Sequence, residues 1–233
     1  MLAEDKIDAV VALLKEIEQD YSPAALASSL SAEDMVLSDL VVKHAPGINI
    51  ITLDTGRLPT ETYNLLQQVR DLYGDVVKIF APDTEKLQEF VQLNGPNAFY
   101  KSVDLRKSCC GVRKIEPLRR ALAGKTAWIT GLRREQSVTR VEMKIKEDDQ
   151  MFGIPKFNPL LDWSEQEVWA YIRRFEVPFN ELHEKGYPSI GCGPCTRAIS
   201  NGEDVRAGRW WWENPETKEC GLHVAKLAGS GDA

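Results

Sequence analysis

The sequence predicts an α/β domain with a parallel sheet covered by helices on both faces. Two observations lead there. Short β-rich apolar runs alternate with stretches of helical periodicity, the order that βαβ units require. In addition, the polar segments 28–34, 54–57 and 131–140 each follow one of those runs. In a parallel sheet this puts all three on one rim, beyond the carboxyl ends of the strands, where such folds bind ligands.

The elements follow in order. Residues 4–19 carry Ile7, Val10, Val11, Leu14 and Ile17 at helical spacing. Pro23 closes the lead-in, and residues 24–30 are short and apolar, a first buried strand. Ser31-Ala32-Glu33-Asp34 is a cap that opens a helix through about Lys43. Residues 48–53 form a second strand that stops at the turn Asp54-Thr55-Gly56. A helix with Leu65, Leu66 and Val69 follows, then a third strand over 76–80, punctuated by Pro82-Asp83. Residues 84–93 and 111–123 read as helices, with Pro117 confined to a first turn or a kink. Residues 126–130 are a fourth strand. Residues 157–161 lead into Ser164-x-x-Glu167, a capping box that starts a helix through Arg174. Beyond Pro178 the chain is rich in Gly, Pro and Trp and has no clear periodicity.

At 233 residues, 43% hydrophobic and 27% charged, the chain has the profile of a globular domain with a substantial core. No apolar run approaches the ~20 residues of a membrane span. The N-terminus lacks the basic-then-apolar pattern of a secretion signal. The expected location is therefore cytoplasmic, without membrane contact. A formal net charge of −6 is poor equipment for binding nucleic acid. That average conceals an asymmetry. Residues 1–100 sum to −9, residues 101–144 to +8 and residues 145–233 to −5. A basic island in an acidic chain is a solvated helix face or the field that a small anion needs.

The cysteines divide four to one. Their number, five, excludes complete pairing into disulfides within the chain. Cys109-Cys110 and Cys192-x-x-Cys195 are two pairs separated by 81 residues. Adjacent cysteines point apart unless the backbone bends, which makes them awkward ligands for one ion. Irons at separate corners of a cubane receive them more naturally. Spacing alone thus favours an iron–sulfur cluster, with a zinc site or four unrelated thiols still open. Cys220 stands apart in Lys218-Glu219-Cys220-Gly221-Leu222-His223, where basic neighbours favour the thiolate or the thiol is merely exposed.

These segments together resemble one family. The chain resembles the assimilatory adenylyl-sulfate (APS) reductases, relatives of the phosphoadenylyl-sulfate (PAPS) reductases. The likeness rests on 28–34, Leu53 through Arg57, Cys109 through Lys114, 131–140, Cys192 through Thr196, Arg206 through Trp212 and Lys218 through His223, in that order. Ser31 stands where many members carry Gly, and the stretch from Gly131 to Arg140 is one residue shorter than in some. The resemblance implies a three-layer sheet of the adenine nucleotide alpha-hydrolase type with a modified pyrophosphate loop. It implies a nucleotide- and cluster-binding domain over 1–209 and a mobile C-terminal tail over 210–233. It further implies a 4Fe–4S cluster on Cys109, Cys110, Cys192 and Cys195. The four cluster cysteines, generally lacking in PAPS reductases, favour APS as the substrate.

The implied reaction takes APS and two thiol electrons to sulfite and AMP in sulfate assimilation. The donor would be thioredoxin or a glutaredoxin-like dithiol protein. A Cys220 thiolate attacks the electrophilic sulfur and displaces AMP, leaving an S-sulfocysteine. An external thiol then attacks the Cys220 sulfur and frees sulfite. Lys114, Arg140, Arg206 and Arg209 match family positions around the phosphosulfate, where guanidinium forks suit its oxygens. Ser28 and Ser29, with the helix start behind them, would cradle an anionic oxygen. Leu53 and Gly131 would frame the adenine, with Asp54, Thr55, Gly56 and Arg57 building the adjoining loop. Glu33 and Asp34 would orient the ribose or basic residues, or simply stabilise a helix start. His223 would assist the nucleophile or bind substrate. Lys114 would couple cluster and substrate electrostatically. Trp210, Trp211 and Trp212 read as packing residues. PAPS reduction, a pyrophosphate-loop tRNA-thiolating enzyme and a zinc-stabilised binding protein are the competing readings. A homo-oligomer is left open.

Overall fold

The computed structural model describes residues 2–136, 140 and 142–214. Its sheet runs in the order β3-β2-β1-β4-β6-β5. The strands are β1 (Ala24–Ala27), β2 (Asn49–Leu53), β3 (Val77–Phe80), β4 (Ala127–Ile129), β5 (Lys146–Asp149) and β6 (Ile154–Phe157). All neighbours pair in parallel except β5, which is antiparallel to β6 at one edge.

Successive residues of a strand face opposite ways, and here they feed two cores. Leu26, Ile50, Ile129 and Phe157 face α1 (Glu4–Asp20), α2 (Ala32–His44), α3 (Thr60–Tyr73) and α7 (Glu165–Phe175). Ala25, Ile51 and Trp128 face α6 (Glu116–Leu122) through Leu118, Ala121 and Leu122. The result is the expected three-layer parallel-dominant α/β fold. Helix α2 is buried along residues 32–41, so its sequence shows no polar stripe. The capping box of α7 forms on both sides: Glu167 N donates to Ser164 Oγ at 3.2 Å, and Ser164 N to Glu167 Oε2 at 2.8 Å.

Three departures from the sequence reading have physical causes. Strand β1 stops at Ala27, not at residue 30, because the chain turns away from the sheet and Leu30 takes a left-handed φ of 60°. The β5–β6 hairpin is unannounced in the sequence: β5 is Lys-Glu-Asp-Asp, and β6 contains Pro155, both against strand propensity. Pro155 is accommodated opposite Asp148, just before the pairs with β4 begin at Lys156.

The third departure concerns 111–123. This stretch is a π-helical turn, Gly111–Ile115, joining α5 (Val103–Cys110) to α6. Between α3 and α5 lies α4 (Thr84–Asn94). The π turn has a local reason. Pro117 lacks an N–H, and its ring would strike the carbonyl of Arg113 in a regular α-helix, so the coil widens there. No helix among the described residues is long and apolar enough to cross a membrane.

Candidate active site

Strand order reverses between β1 and β4, whose chain continuations leave the sheet on the same rim. Such a reversal opens a crevice. Here it is a cavity of about 240 Å³ lined by Ser28, Ser29, Glu33, Asp34, Leu53, Thr55, Lys114, Gly131, Arg140, Arg206 and Arg209. The structure therefore brings most of the expected substrate residues to one place. It does not bring Asp54, Gly56 and Arg57 to that wall. Asp54 Oδ1 accepts from Gly56 N and from Tyr63 Oη, each at 2.8 Å, which closes the turn on itself. Arg57 points the other way. It donates to Asn97 Oδ1 at 3.0 Å and Pro96 O at 2.6 Å, with its guanidinium over the Phe99 ring. These three build the loop beside the cavity.

Asp34 organises the cavity floor. Its Oδ2 accepts from Ser29 N and Ser29 Oγ, both at 2.6 Å, and from Ser31 Oγ at 3.2 Å. Its Oδ1 accepts from Gly131 N at 3.1 Å, across the gap between the β1 and β4 loops. Residue 131 must be glycine, because a Cβ there would lie 2.3 Å from Asp34 Oδ1. Ser28 Oγ accepts from Leu30 N at 3.2 Å and shapes the same loop. Ser31, at φ −74°, sits in ordinary backbone, so the glycine common in relatives is not needed here. Glu33 is also engaged by protein: Arg133 Nε donates to its Oε1 at 2.9 Å, with both side chains nearly buried.

Burial pushes the Asp34 carboxyl up to about 6, the serine and backbone donors pulling the other way. A carboxyl raised from 3.8 to about 6 binds more protons in the folded state across that window. Its contribution to stability therefore falls as pH rises from about 4 to 6. The clasp itself is complete only above about 6, where Asp34 is ionised. AMP affinity, measured by calorimetry, is expected to decline as pH falls through 6. Asp34→Asn is expected to lose about tenfold in affinity at neutral pH, because its amide nitrogen cannot accept from Ser29, and to flatten that acid limb. An unchanged acid limb in Asp34→Asn would assign it to another group.

A second, smaller cavity adjoins the first, and all four cysteines of the two pairs line it. The π turn answers the difficulty of adjacent cysteines, for Cys109 and Cys110 end α5 where the coil widens and both reach this cavity. The opposite wall is the turn at Cys192, closed by Cys195 N to Cys192 O at 2.9 Å and tied to the β2 loop by Gly193 N to Arg57 O at 2.8 Å. Thr55 Oγ1 lies 3.3 Å from Cys192 Sγ. Burial pushes the Cys195 thiol up to about 12 and raises Cys109, whose shift Arg113 opposes. Among the described residues, no three His, Cys, Asp or Glu converge closely enough for a single ion. Lys114, Cys192, Arg209 and Trp210 line both cavities and form the partition between them.

Arg209 is held in place. Its guanidinium lies against Gly191, 4.8 Å from the Trp210 ring, and its Nη1 donates to Ser189 Oγ and Ile190 O. The chain after Arg209 packs on the domain as far as it is described. Trp210 is fully buried, and Glu213 accepts two bonds from the buried Arg106 of α5, at 2.9 and 2.7 Å. The expected start of a tail at 210 thus falls within packed chain. Cys220 and His223 lie outside the described residues. The sequence reading missed Arg106, Arg113, Trp169 and His183. Glu33 and Asp34 were named, but the fastening they perform shows only in three dimensions.

Residues 23–198 match the model of the phosphoadenosine phosphosulfate reductase domain. An adenosine 5'-phosphosulfate reductase of Allochromatium vinosum is 56% identical over 220 residues, covering 94% of this chain and 86% of that protein. One from Burkholderia cepacia is 53% identical, covering 95% and 89%. The crystal structure of a phosphoadenylyl-sulfate reductase from Candida auris, a phosphate complex, superposes with a TM-score of 0.65 at 28% identity, covering 85% of this chain and 98% of that one. On the extent of that domain match and the identity to these relatives, the chain belongs to the phosphoadenosine phosphosulfate reductase domain family.

Proposed function

We propose that the protein reduces APS to sulfite and AMP in sulfate assimilation, in the cytoplasm, with thioredoxin or a similar dithiol protein as electron donor. The observation that carries this reading is the 45–56% identity to proteins named adenosine 5'-phosphosulfate reductase over most of the chain. The geometry supports it. One cavity offers a serine loop at a helix start and an array of cations, and it shares a wall with the cavity that four cysteines line.

In this reading the Ser28 hydroxyl and the start of α2 receive anionic oxygen, while Ser29 holds the loop closed on Asp34. Leu53 and Gly131 present backbone to the adenine. Lys114, Arg140, Arg206 and Arg209 neutralise the phosphosulfate and ease departure of the AMP phosphate. The Cys220 thiolate attacks sulfur, the S–O bond to AMP breaks, and the sulfonate stays on Cys220. The dithiol partner then attacks the Cys220 sulfur. Sulfite leaves with the electron pair of the old S–S bond, the partner's second thiol attacks the resulting mixed disulfide, Cys220 leaves as thiolate, and the partner ends as a disulfide. His223 would assist the thiolate or hold substrate.

The cysteine cavity fits a 4Fe–4S cluster. All four thiols face it, their spacing suits no single ion, and two buried donors beside it, Arg113 Nε and Trp210 Nε1, have no partner within the described chain. Sulfur of an anionic cluster would satisfy both. When bound, the cluster supplies a fixed charge behind Lys114 that tunes the substrate site.

A PAPS substrate is the second reading, favoured by the family and the Candida auris neighbour. Sulfite release from APS and from PAPS, with reduced thioredoxin and anaerobically purified protein, decides between them. Activity with APS is expected from a brown protein absorbing near ~400 nm. A strong preference for PAPS would overturn the substrate assignment, and a colourless active protein the cluster.

A further inference from the structure

One buried polar atom on the nucleotide cavity has no role in the mechanism above. His183 lines that cavity, and its Nε2 is buried without a hydrogen-bond partner. The side chain is firmly held. It sits in a one-turn 3-10 helix, Glu181–Lys185, capped by Asn180, whose side chain accepts from Leu182 N at 3.0 Å and donates to Thr62 Oγ1 at 2.9 Å. Its ring meets Trp169 edge-on at 5.2 Å and 80°. The Tyr187 backbone lies beside the ring and acts in the sense that favours its proton.

The Nε2 of a neutral imidazole accepts or donates according to its tautomer. Burial holds the imidazole below its usual range, so it stays neutral although Glu33 and Glu165 lie near enough to favour the cation. An unpartnered imidazole nitrogen on a binding cavity calls for a ligand group that can hydrogen-bond with it in either sense.

A hydroxyl can do both. Phosphate and sulfate oxygens only accept, and the cations that suit them are Lys114, Arg140, Arg206 and Arg209. The adenine amino group is served by the backbone at Leu53 and Gly131. The ribose hydroxyls remain. Glu33 and Glu165 both act on the imidazole in the sense that favours its cation, a local field that opposes an added anion. We infer that His183 exchanges a hydrogen bond with a ribose hydroxyl of the nucleotide, and that its corner turns away nucleotides phosphorylated on that hydroxyl. This deepens the APS reading and rests on it.

Calorimetry tests it with AMP, 2'-deoxy-AMP, 3'-deoxy-AMP and the adenosine 2',5'- and 3',5'-bisphosphates, on wild type, His183→Phe and His183→Gln. Wild type is expected to bind one deoxy analogue about tenfold more weakly than AMP, the value of one well-placed hydrogen bond. The bisphosphate carrying phosphate on that same hydroxyl should bind worse still. His183→Phe should lose about tenfold for AMP and no longer distinguish AMP from that deoxy analogue. His183→Gln, which keeps an acceptor, should recover most of both. The assignment is overturned if wild type ignores both deoxy substitutions, or if His183→Phe keeps the wild-type ranking of ligands. In those cases a buried water or packing alone satisfies the imidazole. Thermal melts separate lost binding from lost folding. APS reduction by wild type is measured alongside: an active enzyme with an unchanged ranking sinks His183 alone, whereas no AMP binding and no APS turnover sinks the reading beneath it.

Discussion

Cys220→Ser is expected to lower turnover by about 10⁴-fold or more, since a serine hydroxyl at neutral pH has neither the softness nor the ionisation that attack on sulfur demands. The sharper readout is covalent. Wild type incubated with APS and no dithiol should release one equivalent of AMP and gain about 80 Da, the mass of a sulfonate added to a thiolate nucleophile. Adding reduced thioredoxin should discharge that mass as sulfite. Cys220→Ser should show neither the burst nor the adduct while retaining its colour and its affinity for AMP, because none of the four cavity cysteines is altered. An adduct on Cys109, Cys110, Cys192 or Cys195 would reverse the division of labour among the thiols. Full activity in the serine variant would remove the covalent step altogether.

The second large effect is on stability. Arg106 and Glu213 form a two-bond ion pair at 0% and 3% side-chain exposure, and the Arg106 guanidinium also lies 4.7 Å from the Trp210 ring. Removing one partner leaves a desolvated charge without its counterion, a loss of roughly 3–5 kcal/mol. Arg106→Met and Glu213→Met should each lower the melting temperature sharply and loosen Trp210, which helps to wall off the cysteines. The double variant should be milder than either single change, because two apolar side chains of similar length leave nothing uncompensated. Single variants within about 1 kcal/mol of wild type in denaturant titrations would mean that water reaches the pair.

These two tests mark where sequence reading succeeds and where it stops. Strands β1 to β4 were legible because each is a short apolar run ended by a turn segment. Their rim followed from the order of those segments, so Ser28, Asp34, Thr55 and Gly131 could be assigned to one place before any coordinates. The charged β5 and Pro155 in β6 hid a hairpin whose pairing is decided by neighbours rather than by propensity. Helix α5 is eight residues of mostly polar chain, too short for periodicity to declare itself. Arg106 and Glu213 are 107 positions apart, and His183 has its lining position only because a one-turn helix is bolted to Thr62. Long-range fastenings of this kind leave no local pattern.

The partition of Lys114, Cys192, Arg209 and Trp210 has a thermodynamic meaning. Free energy that passes through a shared wall passes equally in both directions. Whatever a cluster does to nucleotide affinity by setting those side chains, the nucleotide must do to cluster retention by the same factor. If a cluster held there tightened nucleotide binding, nucleotide would in turn slow the loss of that cluster.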